Sequence, residues 1–296
     1  MVLHKKSIRA DCRTPDGRQL RTANGRPERE GGTRMDYVDF GKTGLKVSRL
    51  SVGTGTHGWG GRSEQTGVGL DGLSRLLRAA FEHGINFWDA ADAYGSHPHI
   101  SHALRGLPRE SVVISTKTMS RSAQAVAKDI ERFLIELNTD FLDVVLLHYL
   151  TQGDWPNRFE GAMQALSRAK EEGKVRAVGV SCHGLRPLRA AAESDWVEVA
   201  LVRINYAGTN MDGKPEEVVP IIDQMYRAGK AVYGMKVLGC GSLSGSVHQA
   251  VEFVLGLGTV HAVTIGTTTH TQLLENHRVI EELCPLRRLR LRDFDV

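Results

Sequence analysis

Short apolar runs of strand character alternate with segments of helical character along most of this 296-residue chain. The runs fall near residues 48–53, 85–88, 111–116, 142–147, 175–180, 199–204, 231–235 and 261–265. The helical patterns fall near residues 70–83, 97–106, 121–138, 157–172, 185–193, 215–228, 244–257 and 270–282. Alternating strands and helices predict a parallel sheet with helices outside it. Eight repeats can close that sheet, so we expect an α/β protein with a (β/α)8 TIM barrel.

The residue types inside these segments agree with the alternation. One helical pattern places its apolar residues three or four apart, as a helix packed on a sheet requires; these are Val126, Ile130, Phe133, Leu134 and Leu137. The run VVLL at 144–147 is apolar on both faces, as in a buried parallel strand. Before the first repeat, residues 36–50 carry a Gly-centred turn between two β-like runs, which predicts an N-terminal β-hairpin.

An open, doubly wound sheet is the structural alternative to a barrel. Such a sheet normally binds its nucleotide through GxGxxG spacing directly after the first strand. The glycine-rich segment GTGTHGWGG at 53–61 lacks that spacing, and no helical pattern follows it at once. We therefore interpret this segment as a flexible loop over a pocket.

The net charge of +4 comes from the beginning of the chain. Residues 1–34 hold nine Lys/Arg against four Asp/Glu, whereas 29 basic and 30 acidic residues follow from Met35 onward. This first segment has too few large apolar residues to build a core. We predict a basic, disordered tail over 1–34 and a barrel domain over 35–296. The segment could instead lie upstream of a true start at Met35, or serve as a basic arm. Because the rest is nearly neutral, we expect no nucleic-acid partner.

The composition favours a cytoplasmic protein without membrane segments. No stretch of 18 or more apolar residues occurs, and no apolar core follows the N-terminal charges. The four cysteines, Cys12, Cys182, Cys240 and Cys284, are scattered without a CxxC pair. We therefore expect reduced thiols rather than disulfides or a structural zinc site.

Four polar residues stand just beyond apolar runs: Asp89 and Tyr94 in FWDAADAYG, Lys117 in VVISTKT and His148 in DVVLLHY. The carboxyl ends of barrel strands meet on one face, so these side chains are expected in one pocket. A phenol can donate a proton near neutral pH when a neighbouring ammonium lowers its pKa. The carboxylate would hold the lysine, and the histidine would hydrogen-bond a substrate oxygen. Together the four predict carbonyl reduction, although each alone also fits a helix cap, a solvated lysine or a core histidine.

With these residues the chain resembles the aldo-keto reductases, from about Asp36 to about Ile280. The resemblance implies reversible hydride transfer between a nicotinamide and a small carbonyl or alcohol substrate, with Tyr94 as general acid and base. It also implies NADP(H) or NAD(H) lying across the C-terminal mouth of the barrel.

Two segments of the resemblance concern the nicotinamide end of the cofactor. In VGVSCHG, Ser181 matches a serine that holds the carboxamide, whereas Cys182 replaces the family's asparagine. In VRINYAG, Arg203 replaces a glutamine and Tyr206 is retained. Since a thiol is a poor hydrogen-bonding group, one expected contact is weakened, and Asn205 is an alternative contact to Arg203.

Further segments resemble those that hold the rest of the cofactor. The loop KVLGCG at 236–241 resembles the loop around the pyrophosphate, which implies contacts from Lys236, Leu238 and Gly239. Lys236 could equally reach the substrate or remain solvated. A helix start with threonine hydroxyls suits a phosphate, and there Thr267 matches a phosphate-binding hydroxyl, although a helix cap alone would also explain the threonines.

The adenosine end departs from the family pattern. Glu275 and Asn276 match the Glu-Asn pair at the adenine, but three other residues stand where Lys or Arg commonly face the 2′-phosphate: Gly266, Thr268 and Gln272. Without those cations the electrostatic basis of a preference for NADPH is lost.

Loop residues are expected to set substrate specificity, chiefly those near 54–69, 149–157 and 205–214. Trp59 and Trp155 could wall an apolar substrate slot, or simply anchor their loops. His99 and His102 have a spacing that zinc sites use, and His97 is nearby. We nevertheless expect these three to form a solvated helix start, with no metal site.

Two other functions remain compatible with such a barrel. One is a non-catalytic nicotinamide-binding partner protein, as the potassium channel beta subunits are, and the intact set of four polar residues argues against it. The other is a barrel lyase or isomerase that uses a lysine Schiff base or a carboxylate base. Absence of nicotinamide binding would favour that second class.

Overall fold

The computed structural model describes the backbone from Met35 to Arg292 and the side chains from Met35 to Cys284. The predicted tail over 1–34 lies outside the described residues, so the division into tail and barrel domain remains a prediction. The strands are β1 Tyr37–Asp39, β2 Lys46–Ser48, β3 Leu50–Gly53, β4 Phe87–Asp89, β5 Val113–Thr118, β6 Leu142–Leu150, β7 Val175–Cys182, β8 Val199–Arg203, β9 Ala231–Met235 and β10 Ala262–Gly266. The helices are α1 Leu70–Glu82, α2 His97–Leu104, α3 Ala123–Leu137, α4 Trp155–Arg158, α5 Glu160–Glu171, α6 Leu185–Glu193, α7 Pro215–Arg227, α8 Val247–Gly256 and α9 His270–Arg292.

The predicted (β/α)8 barrel is confirmed. Strands β3 to β10 close into one barrel in chain order, and each pairs in parallel with its neighbours. The predicted hairpin is also present, because β1 and β2 pair antiparallel with Tyr37 opposite Ser48. Within the described residues, no helix is long and apolar enough to cross a membrane.

The barrel has an apolar inner layer that the hairpin closes from below. Phe40, from the hairpin turn, is fully buried, and its ring lies 5.3 Å from that of Phe87 and 5.8 Å from that of Tyr233. Val144 and Val199 belong to the same buried cluster. Above this layer the interior becomes polar, with Asp89 and Lys117 buried near the carboxyl ends of their strands. The polar side chains therefore stand directly above a packed apolar layer.

Helix α3 shows how the sequence pattern fixes an outer element. The Ser122 side chain accepts a hydrogen bond from the Ala125 amide at its start, and Asn138 ends it in a left-handed conformation. The buried residues of the helix include four of the five predicted from the spacing, and Leu134 is partly buried against the same core. The apolar residues at three- and four-residue spacing are therefore the ones that pack this helix against the barrel.

Some helix bounds differ from the prediction. The segment expected as one helix over 157–172 forms two, α4 and α5, because Phe159 between them has non-helical φ and ψ of −115° and 23°. The last helix, expected to end at 282, continues to Arg292.

Strand β6 contains a β-bulge at the end that faces the site. Leu147 pairs with Val180 and Leu150 with Cys182, so two residues of β6 stand opposite one of β7. Tyr149, inside the bulge, has a φ of +58°, which is uncommon for a residue with a side chain. Bulges redirect side chains near active sites, and this one sets the directions of His148 and Tyr149.

Candidate active site

The centre of the site is a buried ion pair between neighbouring strands. The Lys117 ammonium donates to both carboxylate oxygens of Asp89, each at 2.9 Å, and to the carbonyl of Ala90 at 2.6 Å. The lysine side chain is fully buried. Burial lowers the pKa of Lys117, whereas the Asp89 carboxylate acts in the opposite direction. Since an ammonium has three N–H donors, all three are already used.

Tyr94 ends a short 3₁₀ turn, Asp92–Tyr94, that follows β4, and Gly95 turns the chain away with a φ of +65°. The phenol oxygen lies 3.5 Å from Nε2 of His148. The ammonium of Lys117 lies 5.0 Å from the centre of the tyrosine ring. The structure thus brings all four predicted residues together.

The pKa of Tyr94 does not shift in the predicted direction. Burial, and then the charge of Asp89, raise the pKa of this phenol above its usual value. The expected lowering by Lys117 fails because Asp89 neutralises the ammonium and no N–H of Lys117 is left for the phenol oxygen. Tyr94 is therefore protonated at neutral pH, which is the form that can donate a proton.

His148 is neutral in this environment. Burial, and then the positive charge of Lys117, hold the pKa of His148 well below its usual range. Its Nδ1 is buried, and no described residue hydrogen-bonds that atom. Arg121 donates to the backbone carbonyl of His148 and so fixes the strand end.

Tyr233 is a buried contact of the site that the sequence reading missed. Its phenol donates to Oδ1 of Asp89 at 2.8 Å, and Ser115 donates to the phenol oxygen at 2.9 Å. Burial, and then Asp89, raise the pKa of Tyr233 well above its usual value, so the phenol remains a donor. Its signal in the sequence was alternation, since Ala231, Tyr233 and Met235 share one face of β9.

The glycine-rich segment 53–61 lies directly on Tyr94, over the pocket as predicted. A Cβ atom added to Gly55 would lie 2.1 Å from Cε2 of Tyr94, and one added to Gly58 would lie 2.3 Å from its Cδ1. The amide of Thr56 donates to Gln65 Oε1 at 2.8 Å, which ties the segment to the chain that follows it. Glycine is needed at these positions because the backbone touches the ring.

A cavity of about 400 Å³ runs from Asp89 and Tyr94 along the carboxyl ends of the strands. Seven predicted cofactor contacts line it: Lys236, Leu238, Gly266, Thr268, Gln272, Glu275 and Asn276. It is also lined by residues that the sequence reading did not select, among them Thr56, Glu64, Gln65, Cys240 and Ser244. Six other predicted contacts do not line it: Ser181, Cys182, Arg203, Tyr206, Gly239 and Thr267.

Two of those six still fit a bound dinucleotide. Ser181 Oγ and Thr267 Oγ1 are buried, and neither finds a hydrogen-bond partner in the described part of the chain. Buried polar groups without partners are uncommon and call for a ligand or water. These two hydroxyls could therefore hydrogen-bond a carboxamide and a phosphate of a bound dinucleotide.

The other predicted nicotinamide contacts are engaged elsewhere. Asn205 makes four hydrogen bonds, donating to Thr209 and Lys236 carbonyls and accepting from two loop amides, so its amide has no free group for a ligand. The Tyr206 ring lies 6.4 Å from that of Phe253 and packs on the outer core. Cys182 is fully buried, and burial raises the pKa of its thiol.

Arg203 belongs to a buried polar cluster that the sequence reading did not foresee. Its Nη1 lies 3.4 Å from Oδ1 of Asp212, a carboxylate that is 1% exposed, and its Nη2 donates to Nδ1 of His183. Burial raises the pKa of Asp212 to about 6, although Arg203 acts in the opposite direction.

The cavity is lined by more carboxylates than cations. Glu64 and Glu275 line it, and among the described residues around the cavity Lys236 is the single lysine or arginine. The Gln272 side chain accepts from the Thr268 amide at 2.9 Å and so caps the following helix. The described lining therefore contains no arginine against a 2′-phosphate.

The two tryptophans predicted to line a substrate slot differ in exposure. Trp155 is fully buried and donates to the carbonyl of Pro187 at 3.2 Å, so its placement in the pocket was wrong and it anchors a loop in the core. Trp59 is 60% exposed, with its ring 6.1 Å from that of Tyr149. The aromatic rim is thus made by Trp59 and Tyr149.

The expected solvated helix start is wrong for His97. This histidine is buried, with Nδ1 2.7 Å from Glu136 and Nε2 2.7 Å from the hydroxyl of Thr116. Glu136 lies on α3, so His97 joins that helix to the strand that carries Lys117. Over the described residues no group of three or more His, Cys, Asp or Glu is arranged to hold a metal ion.

The comparisons with known proteins agree with this geometry. The profile of the Aldo/keto reductase family matches residues 49–256. Aldo-keto reductase YhdN of Bacillus subtilis is 30% identical over 167 residues, which cover 50% of this chain but only 47% of that protein. L-galactose dehydrogenase of Arabidopsis thaliana is 26% identical over 294 residues, covering 85% of this chain and 90% of the relative.

A solved structure is similar over nearly its whole length. A protein from Pseudomonas aeruginosa assigned to the aldo-keto reductases superposes with a TM-score of 0.71 and 26% identity, covering 84% of this chain and 95% of its own. The chain therefore belongs to the aldo-keto reductase family, whose members are NAD(P)H-dependent oxidoreductases that act on carbonyl and alcohol groups.

Proposed function

We propose that this protein reduces a small aldehyde or ketone with NADPH or NADH, and oxidises the corresponding alcohol in reverse, with Tyr94 as general acid and base. One observation carries the proposal. Asp89 and Tyr94 line the same cavity as seven predicted cofactor contacts, and the phenol of Tyr94 lies 3.5 Å from His148 Nε2. A carbonyl oxygen seated there would meet two donors at once.

Tyr94 supplies the proton in this scheme. Because burial keeps the phenol protonated, it can donate to the oxygen on which negative charge develops during reduction. His148, neutral and fixed by the bulge, donates from Nε2 to the same oxygen and so orients the carbonyl.

Lys117 and Asp89 support the proton transfer. When Tyr94 has given up its proton, the phenolate is a new acceptor for the Lys117 ammonium, which lies 5.0 Å from the ring centre. The ammonium stabilises it by giving up one of its present hydrogen bonds to Asp89 or Ala90. Asp89 holds the ammonium through two hydrogen bonds of 2.9 Å. Both groups act on Tyr94 and do not touch the carbonyl.

The cofactor residues follow from the lining of the cavity. Bound NADPH or NADH supplies the hydride for the carbonyl carbon. Ser181 would hold the carboxamide, Thr267 a phosphate, and Glu275 with Asn276 the adenine. Lys236, the single lysine or arginine in the described lining, would meet the pyrophosphate.

Two relatives bear names that state a reaction: L-galactose dehydrogenase of Arabidopsis thaliana, and an NADH-specific methylglyoxal reductase of Escherichia coli that is 25% identical over 50% of this chain. Small polar aldehydes are therefore the first substrates to test. The two alternative functions, a non-catalytic partner and a barrel lyase or isomerase, gain no support from the comparisons.

The proposal is tested by steady-state kinetics on the purified full chain. We expect oxidation of NADPH or NADH that depends on an added aldehyde, and the reverse reaction with the matching alcohol. Binding of either cofactor without turnover of any aldehyde or ketone in a broad panel would contradict it.

A further inference from the structure

A second histidine stands beside the four proposed catalytic residues. The rings of Tyr94 and His148 lie 5.6 Å apart, and those of His148 and His183 lie 6.1 Å apart. The His183 ring in turn lies 4.3 Å from that of Tyr149, which belongs to the rim with Trp59. His183 is thus the next ring from the proposed carbonyl site toward the mouth, and the proposed mechanism does not use it.

The contacts of His183 fix which nitrogen carries its proton. Arg203 Nη2 donates to Nδ1, and a guanidinium has no acceptor. Burial, and then the charge of Arg203, lower the pKa of His183 to about 3, so the ring is neutral. A neutral imidazole that accepts at Nδ1 carries its hydrogen on Nε2. The Asp212 carboxylate forms an ion pair with Arg203 at 3.4 Å, although no described residue hydrogen-bonds either carboxylate oxygen.

The Nε2–H group of His183 has no acceptor. The atom is buried, and no described residue makes a hydrogen bond to it. A buried donor without a partner is costly, so one beside the proposed carbonyl site marks a place where a substrate oxygen or a water would bind. The backbone adds rigidity, because the His183 amide donates to Leu150 at 2.7 Å.

The two histidines therefore present donors along one wall. His148 Nε2 faces the place of the carbonyl oxygen, 3.5 Å from the Tyr94 phenol. Because the two imidazole rings lie 6.1 Å apart, one substrate could place its carbonyl oxygen at His148 and a second oxygen at His183. A hydroxyl or oxo group on the carbon next to the carbonyl would supply that second oxygen.

We propose that His183, oriented by Arg203 and Asp212, binds a second substrate oxygen and selects carbonyl compounds that carry a hydroxyl or oxo group on the adjacent carbon. This inference rests on the proposed carbonyl reduction and names its substrate class. His183 is then a specificity-determining residue, and Arg203 is a positioning residue that acts through it.

Three aldehydes of similar size test the inference: propanal, 2-hydroxypropanal and 3-hydroxypropanal. The third is the control for polarity, because it carries the same hydroxyl one carbon too far away. For the wild-type full chain we expect kcat/KM for 2-hydroxypropanal to exceed both other values by at least about tenfold, since a substrate hydroxyl that pairs a buried donor gives strong discrimination.

The variants separate this role from cofactor binding. His183→Phe keeps a ring against Tyr149 and removes both nitrogens, and His183→Met is made in parallel in case one variant does not fold. We expect the ratio of kcat/KM for 2-hydroxypropanal over propanal to fall to near one. Arg203→Met should lower the same ratio. The dissociation constant of NADH, followed by fluorescence, should change less than the ratio does.

The outcomes are distinguishable. If the wild type reduces none of the three aldehydes or any other carbonyl compound, the proposed function fails and the inference fails with it. If it reduces all three at similar rates, or if the His183 variants keep the wild-type ratio, the inference alone is overturned. A loss of NADH affinity as large as the loss of discrimination would assign His183 to the cofactor and also overturn it.

Discussion

The phenol of Tyr233 donates a 2.8 Å hydrogen bond to Oδ1 of Asp89, the same carboxylate oxygen that accepts from Lys117 at 2.9 Å. Asp89 thus accepts hydrogen bonds from two buried donors that lie on opposite sides of the barrel interior. Tyr233 lies 144 residues from Asp89 in the chain, and this contact exists only because β9 and β4 belong to one closed barrel. It makes the position of the proposed catalytic lysine depend on a residue that never touches it.

Replacing Tyr233 by Phe tests this dependence. We expect kcat to fall roughly 10- to 150-fold with little change in NADH affinity, because a hydrogen bond to a charged group contributes about 1.5–3 kcal/mol and about 1.4 kcal/mol is a factor of ten in rate. Ser115→Ala is the matched control, since it removes the other partner of Tyr233 and leaves the bond to Asp89 intact. Equal losses in the two variants would show that Tyr233 only stabilises the fold.

Replacing Tyr94 by Phe should remove most turnover and leave cofactor binding intact. The ring stays in its contact with Gly55 and Gly58, whereas the transferable proton is lost. General acid help is typically worth about 10²- to 10⁴-fold in rate. Steady-state kinetics with one aldehyde, beside fluorescence titration with NADPH, measure the two effects. A rate of aldehyde reduction by this variant close to that of the wild type would show that Tyr94 is not the general acid.

Replacing Gly55 by Ala should misplace Tyr94. The new Cβ would lie 2.1 Å from Cε2 of the ring, so either the ring or the loop must move. Such overpacking costs about 1–3 kcal/mol, and we expect a loss in kcat/KM of about tenfold or more. Gly67→Ala is the control, because nothing lies within 4 Å of a Cβ there and its backbone is not left-handed. A Gly55 variant as active as this control would contradict the proposed contact.

The pH dependence of stability should report the buried carboxyl of Asp212. Burial raises its pKa to about 6, from 3.8 in a model compound. The folded protein therefore holds this proton where the unfolded chain has lost it, so the contribution to stability is present below about pH 4. It declines as the pH rises through about 6.

Asp212→Asn removes this titration. We expect thermal stability of the wild type, relative to the variant, to decrease between pH 4 and pH 7, by up to about 3 kcal/mol for a shift of this size. Melting curves of both proteins across that range measure the difference. A constant difference, or one of opposite sign, would show that Asp212 ionises normally.

The fold could be predicted from the sequence because alternation and length leave few choices. The eight apolar runs coincide with β3 to β10, and the hairpin lies where its Gly-centred turn indicated. The proposed catalytic residues were also recognisable, since each follows an apolar run in the sequence and the carboxyl ends of barrel strands converge.

The predictions for Trp155 and His97 were wrong for one shared reason. Both residues contact partners that are distant in the chain. Trp155 follows His148 closely, yet the bulge at Tyr149 redirects the chain, and the tryptophan is buried beside Pro187. His97 looked solvated because nothing near it in sequence pairs with it, but Glu136 does so from 39 residues away. Local pattern reports which face a residue occupies in its own element, not what packs against it.

The direction of the Tyr94 shift was also beyond sequence reading. A lysine near a phenol lowers its pKa only if the ammonium charge is not already neutralised. Whether Asp89 neutralises the ammonium depends on hydrogen-bond geometry, which the sequence does not show. Here all three N–H groups of Lys117 are directed at Asp89 and Ala90 and not at the phenol.

The choice between NADPH and NADH depends on the charges around the cavity. Preference for a 2′-phosphate usually rests on Arg or Lys, and each charge-assisted bond contributes roughly 1.5–3 kcal/mol. The described lining of the cavity instead includes Glu64 and Glu275, and the Gln272 side chain is occupied in capping its own helix. We therefore expect kcat/KM with the two cofactors to agree within about tenfold, a difference of about 1.4 kcal/mol. Measuring both with one aldehyde tests this, and Gln272→Arg should raise the value for NADPH while leaving that for NADH nearly unchanged. A hundredfold preference for NADPH in the wild type would mean that a cation outside this lining reaches the phosphate.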